Sequence, residues 1–245
     1  MNILLTNDDG IESQGILKLA QTLRSKGGYN VFILAPDSNR SGISHGLSIV
    51  SGPIKLTEVS KDTWTCGGFP ADCVILAVLG VLPFKPDIIV SGINQGPNVG
   101  IDILYSGTAA AARQGALMGL PSVAFSLNAK DNCNWEMAAL YSAEHLDEFL
   151  EMWESDIFIN VNIPNKASGP DGMVKTRPVD KNYNDTLSVS REPGGGSLVY
   201  LVPGRETAEK TEGTDWEALS KNLVSASLVY THPVIRQDLC PGVRS

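Results

Sequence analysis

Asn7-Asp8-Asp9-Gly10 sets two adjacent carboxylates directly behind an apolar run, Ile3-Leu4-Leu5. Side by side, carboxylates repel unless a cation lies between them. Hard divalent cations such as Mg²⁺ and Mn²⁺ prefer such oxygen ligands. The plainer use of the pair is a turn that caps the next helix. Two later stretches bring more polar groups, each behind its own apolar run: Ala35-Pro36-Asp37-Ser38-Asn39-Arg40-Ser41-Gly42 and Ser91-Gly92-Ile93-Asn94-Gln95-Gly96-Pro97-Asn98-Val99-Gly100. Taken singly, each reads as turn chemistry, in which Asn, Gly, Pro and Ser dominate. Together on one sheet edge, the carboxylates would meet a hydroxyl from the second stretch and an amide oxygen from the third. That is an all-oxygen shell with room for water, suited to Mg²⁺, Mn²⁺ or Ca²⁺. A further element, Tyr105-Ser106-Gly107-Thr108, precedes Ala109–Gln114. It puts small hydroxyl residues and a glycine at a helix N-terminus, where free backbone N–H groups attract an anion; the alternative is a plain N-cap. Arg40 offers a planar, always-charged donor for phosphate oxygens, or else a surface ion pair. His45 is a candidate proton donor to a leaving alkoxide, or else a local hydrogen-bonder.

The elements that must position these groups alternate. Ile3–Thr6, Val31–Ala35, Asp87–Val90, Ser122–Phe125 and Phe158–Ile163 read as strands. Between them, Ser13–Lys26 carries Ile16, Leu19, Ala20 and Leu23 at helical spacing and stops at Gly27-Gly28. Asp72–Leu82, Thr108–Met118 and Asn134–Trp153 read as further helices. This order predicts an α/β fold of three layers, a mainly parallel sheet with helices on both faces and right-handed crossovers. In such sheets ligands bind at the carboxyl ends of the strands, where the polar clusters stand. After about Pro164 the texture changes. Met173–Val179, Thr186–Arg191 and Ser197–Val202 read as strands in hairpins around Gly194-Gly195-Gly196, followed by a helical turn at Asp215–Leu219 and a strand at Leu223–Val229. The expected division is a core over residues 1–170 and a C-terminal β-hairpin extension with a tail over 171–245, which packs on a partner subunit because hairpins alone cannot bury both faces.

The 245 residues carry a formal net charge of −8, which argues against binding nucleic acid polymers or anionic membranes. A small phosphorylated substrate would need local positive charge. No stretch is long and apolar enough to span a bilayer, and no secretory signal is visible. Cys66, Cys73, Cys133 and Cys240 form no CxxC pair, and His45, His145 and His232 lie at no zinc-site spacing. Reduced thiols in a cytoplasmic protein are expected. No GxxxxGK[ST] precedes Thr108 and no GxGxxG follows the first strand, which argues against a P-loop enzyme and a dinucleotide oxidoreductase.

Several segments resemble one family closely: NILLTNDDGIESQGI, APDSNRSG, GFPADCV, PDIIVSGINQGPNVG, DILYSGTAAAARQGALMGLPSVAFS and the late TDWEAL are similar to SurE, the survival protein family of metal-dependent 5′/3′-nucleotidases. The resemblance runs from Met1 to about Val229, although Phe69 stands where the family has a small polar residue. It implies hydrolysis of nucleoside monophosphates, one divalent metal ion per subunit (Mg²⁺ or Mn²⁺, with Ca²⁺ a further candidate), and a homodimer or homotetramer built through the C-terminal extension. By position, the family's metal ligands fall on Asp8, Asp9, Ser41 and Asn94. The expected reaction is phosphomonoester hydrolysis by a metal-activated water, with Asp8 or Asp9 also accepting a proton. Asn98 and the helix start at Ser106, Gly107 and Thr108 would hold the phosphate. Rival readings are a phosphatase in which Asp8 attacks directly, forming an aspartyl-phosphate, and a nucleotide-binding regulator without turnover.

Overall fold

A computed structural model of the chain describes all residues except Val50, Pro193, 209–211 and 234–245. The expectations for the tail beyond His232-Pro233 and for Cys240 lie outside the described residues. β1 (Asn2–Thr6) leads through α1 (Gln14–Lys26) to β2 (Asn30–Pro36). A hairpin of β3 (Leu56–Ser60) and β4 (Thr63–Cys66) and then α2 (Pro70–Val78) precede β5 (Ile88–Gln95). The short α3 (Asp102–Tyr105) and α4 (Gly107–Leu117) join β5 to β6 (Ser122–Asn128). α5 (Trp135–Glu144) and α6 (Leu146–Glu151) join β6 to β7 (Ile157–Pro164). The rest is β8 (Met173–Thr176), β9 (Lys181–Asn182), β10 (Thr186–Arg191), β11 (Ser197–Val202), β12 (Thr207–Ala208), α7 (Asp215–Ser220) and β13 (Val224–Tyr230).

One nine-stranded sheet runs β3-β4-β2-β1-β5-β6-β7-β13-β8. From β4 to β7 every pairing is parallel, as apolar strands alternating with crossover helices dictate. Successive β1 side chains feed opposite faces. Ile3 and Leu5 pack with Ile16, Leu19 and Leu23 of α1 and Ala139 of α5. Leu4 packs with Val74 and Ala77 of α2 and Ala111 of α4. The chain works outward from β1 to β2 and β4 on one side, and from β5 to β6 and β7 on the other. Loops leaving the carboxyl ends of β1 and β5 therefore part and open a crevice, the position at which such sheets bind ligands.

The helix expected over Asp72–Leu82 runs instead over Pro70–Val78, and the structure departs from the sequence expectation in four further places. The β3–β4 hairpin, closed by Asp62 at φ 58°, was not foreseen. β5 continues to Gln95 rather than stopping at Val90, which carries Asn94 on its last turn of pleat. The single helix expected over Asn134–Trp153 is two helices meeting at His145. Finally, the stretch after Pro164 returns to the sheet: β13 runs antiparallel to β7, and β8 runs parallel to β13, rather than all these strands standing in hairpins. The reason is that β7 is buried from end to end, so its far edge needs a neighbour. Among the described residues only β10–β11 forms a free-standing hairpin, with every strand residue exposed, and β9–β12 pair as two-residue pieces. Among the described residues, no helix is long and apolar enough to cross a membrane.

Candidate active site

The turn after β1 is closed by its own side chains. Asn7 Nδ2 donates to Gly10 O at 2.9 Å and to Ser13 Oγ at 2.7 Å. Gly10, at φ +96°, takes a backbone conformation that L side chains rarely adopt, and an added Cβ would lie 3.0 Å from Ser38 C. The second loop is strapped across it: Ile11 N donates to Pro36 O at 2.9 Å, and Arg40 N to Asp8 O at 2.7 Å. These bonds aim Asp8 at the start of α4. The Thr108 hydroxyl donates to Asp8 Oδ1. Gly107 gives the clearance, since a Cβ there would stand 2.7 Å from Asp8 Cβ.

Burial pushes the Asp8 carboxyl above its ordinary value, opposed by the Thr108 hydroxyl and by backbone N–H groups that include those of Thr108 and Gly107. Asp9 is raised to about 6, first by burial and then by the charge of Asp8; Gln95 N, 3.3 Å from Oδ2, and the Ser41 hydroxyl oppose this. Two neighbouring carboxylates are thus held where ionisation is unfavourable, and no Lys, Arg or His among the described residues pairs with either. Both shifts reverse when a cation is placed between them. Among the described residues no three His, Cys, Asp or Glu side chains are placed to hold a metal ion, so a cation here rests on two carboxylates and neutral oxygens. That donor set suits a hard divalent ion. Asn94 fits the role: its Nδ2 donates to Gly96 O at 2.8 Å, which leaves the amide oxygen as the atom to offer.

Asp8, Ser41, Asn94, Asn98 and Ser106 line one cavity of 760 Å³. Asp9 faces an adjoining cavity of 540 Å³ with Glu12, Asn39 and Gln95. Ser106 Oγ accepts from Ala109 N at 3.0 Å and caps α4, while Thr108 is buried beneath the wall against Asp8. Two of the expected residues stand elsewhere. Arg40 turns to Asp37 at 3.0 Å and lies 5.9 Å over the Phe69 ring. His45 Nε2 meets Gln114 Oε1 at 2.9 Å, and burial holds its pKa below the usual value; neither residue lines the larger cavity.

Several groups at the site stand outside the contiguous motifs. Lys181 is buried in the larger cavity's wall, with Asp102 at 2.7 Å and Glu206 at 3.0 Å. Asp215 is fully buried and accepts from Gly100 N at 2.8 Å and Val179 N at 3.0 Å. Asn160 and Asn162 reach Asn98 from β7. Only the last pair left a signal. Two asparagines at i and i+2 break an otherwise apolar strand, and buried amides in such a place require partners.

A family model described as survival protein SurE matches residues 3–185. The chain is 37% identical to the 5′-nucleotidase SurE of Kosmotoga olearia over 100% of this chain and 97% of that one. It is 36% identical to the 5′-nucleotidase SurE of Geobacter sulfurreducens over 93% of this chain and 87% of the relative. The crystal structure of the SurE protein from Aquifex aeolicus superposes with a TM-score of 0.85 at 34% identity, covering 99% of this chain and 98% of that one.

Proposed function

The chain belongs to the survival protein SurE family, and from that premise we propose that it is a 5′-nucleotidase. It would hydrolyse nucleoside 5′-monophosphates, and 3′-monophosphates as a second class, with one divalent ion per subunit, Mg²⁺ or Mn²⁺. The observation that carries the reading is the adjacent carboxylates Asp8 and Asp9 at the carboxyl end of β1, without a cationic partner among the described residues, with Asp8 held against the N-terminus of α4. Asp8, Asp9, Ser41 and Asn94 would hold the ion. When bound, it supplies Lewis-acid charge to a phosphate oxygen and lowers the pKa of a water. The chain's own groups do the rest. Asn98 and Ser106, on the wall shared with Asp8, bind and orient the phosphate. The backbone at Gly107 and Thr108 keeps positive potential at that end. Asp9, the less buried of the two carboxylates, takes the proton of the attacking water at its carboxylate, and the departing alkoxide takes a proton from solvent to leave as the nucleoside hydroxyl. His45 and Arg40 have no part in the chemistry on this reading.

A phosphate-release screen over ribo- and deoxyribonucleoside monophosphates with several divalent ions tests the proposal. Release from 5′-monophosphates, absent in EDTA, is the expected result. Binding without release would leave a regulator, and a trapped phosphoenzyme would make Asp8 the nucleophile.

The β10–β11 ribbon exposes Leu187, Val189, Leu198, Val199, Tyr200, Leu201 and Val202, too much apolar surface for a lone hairpin. A homodimer or homotetramer that covers it is the proposed assembly. Cys66, Cys73 and Cys133 are free thiols, in keeping with a cytoplasmic location.

A further inference from the structure

β7 alternates. Ile157, Ile159, Val161 and Ile163 join the core beneath α1 and α5, and the opposite face carries Phe158, Asn160 and Asn162, all fully buried. An apolar side chain would serve stability better at 160 and 162, because a buried amide is unfavourable until every polar atom is met. Asn160 Oδ1 is in fact left without a partner. What the two amides do instead is converge on one residue of the loop after β5. Asn162 Oδ1 accepts from Asn98 N at 2.7 Å, and Asn162 Nδ2 donates to Asn98 O at 3.0 Å. The side chain thus grips both polar atoms of residue 98, as a neighbouring strand would. Asn160 Nδ2 donates to the same carbonyl at 2.9 Å. From β6, the fully buried Ser126 takes the other end: Asn98 Nδ2 donates to Ser126 Oγ at 2.9 Å.

We propose that Asn160, Asn162 and Ser126 are positioning residues for phosphate binding, fixing the backbone and amide of Asn98 so that its second Nδ2 hydrogen faces the cavity. The inference rests on the reading of Asn98 as a phosphate ligand. A loop residue has no ladder to hold it. A displacement of about 1 Å at such a contact is enough to weaken binding severely. Four hydrogen bonds from two core strands remove that freedom before any ligand arrives.

The test compares Asn98→Ala, Asn162→Leu, Ser126→Ala and the double variant Asn98→Ala/Ser126→Ala in the metal-loaded protein. Inorganic phosphate affinity is read by calorimetry, alongside KM and kcat for a nucleoside 5′-monophosphate. Asn98→Ala is expected to weaken phosphate binding and raise KM about tenfold or more, the loss of one hydrogen bond to a charged oxygen. Asn162→Leu and Ser126→Ala should move both quantities the same way. Ser126→Ala should add nothing once Asn98 is already alanine, because coupled groups are not additive. A purely structural role would lower the melting temperature and kcat and leave phosphate affinity and KM alone. That result, or additive losses in the double variant, overturns the positioning role while the reading of Asn98 stands. Unchanged affinity in Asn98→Ala overturns both. Ser126→Ala removes a single oxygen, and decides the matter if Asn162→Leu does not fold.

Discussion

Two regions of the molecule turn the usual distribution of side chains inside out. At the carboxyl edge of β1 and β5, polar groups are buried: Asp8, Asn98, Ser106, Thr108, Asn160 and Asn162 are all nearly inaccessible. On the β10–β11 ribbon, apolar groups are bare, with Leu187 and Leu201 each 68% exposed. Both arrangements are unfavourable in isolation. The difference lies in where the compensation comes from. The first region answers most of its polar atoms within the chain, through Thr108, Gln95, Ser126 and the asparagines. What it leaves over is negative charge, which asks for a small cation. The second finds no cover among the described residues, where β10 and β11 pair only with each other. What it leaves over is area, which asks for a macromolecule, and on the proposed assembly that is a second copy.

The largest effect that could break this contrast is removal of the cation. EDTA should abolish phosphate release, and Mn²⁺ or Mg²⁺ should restore it; full turnover by stripped protein would end the metal reading. Asp8→Asn or Asp9→Asn should lower kcat on the order of 10²-fold or more, the scale of losing one major electrostatic stabiliser. The folded state should survive, because one of two repelling carboxylates is gone. Near wild-type rates in both variants would reduce the pair to turn formers.

Next in size is Gly107→Ala. Gly107 is helical, so the substitution is not a matter of backbone angle; the added Cβ would sit 2.7 Å from Asp8 Cβ and 2.9 Å from Asp8 Oδ2. The cavity-side carboxylate must move. Weaker Mn²⁺ activation is therefore expected, with a fall in kcat of about tenfold, less than that from removing the carboxylate outright. A lower melting temperature with unchanged metal affinity would make Gly107 a packing glycine with no bearing on the site.

The ribbon gives the smaller effect on catalysis. Leu187 and Leu201 face each other across the hairpin, so Leu187→Lys with Leu201→Lys puts two like charges side by side within the exposed patch. The expected outcome by light scattering is a fall in mass to that of the single chain, 26.2 kDa, with little change in kcat. An oligomer of unchanged mass would place the interface on another surface.

Legibility followed the same division. The crevice was readable because its chemistry is contiguous: Asn7-Asp8-Asp9-Gly10 and the stretch from Ser91 to Gly100 each stand directly after an apolar strand, and parallel order puts strand ends together. The groups that were not readable act across long separations. Asn160 and Asn162 reach Asn98 over 62 and 64 positions, and Lys181 reaches Asp102 over 79. Spacing carries no trace of such contacts. The place of β13 in the sheet was not legible for a related reason. A strand's pattern gives its burial but not its neighbour, and Val224–Tyr230 lies between β7 and β8 rather than beside the segments nearest in sequence. For Arg40 and His45, residue type suggests phosphate chemistry, and nothing in the spacing discloses that Asp37 and Gln114 stand beside them.

The finest test of the contrast is pH, because only the first region has a charge to titrate. In the metal-free protein Asp9 is raised from 3.8 to about 6 by burial and by Asp8. The folded state then holds a proton that the unfolded state has released, so between those values stability falls as pH rises. The melting temperature of stripped wild type should drift down by a few degrees from pH 4 to pH 7 relative to Asp9→Asn, a small change because Asp9 is partly exposed and the effect is screened. Bound Mn²⁺ reverses the sign. The ion needs the carboxylate, so its affinity should weaken by about tenfold per pH unit below the Asp9 pKa, as one proton competes for the site. The two slopes must be opposite, and Asp9→Asn should flatten both. If stripped and Mn²⁺-loaded wild type drift in the same direction, the carboxylate pair is not where the ion binds. The first region's leftover charge would then need another explanation.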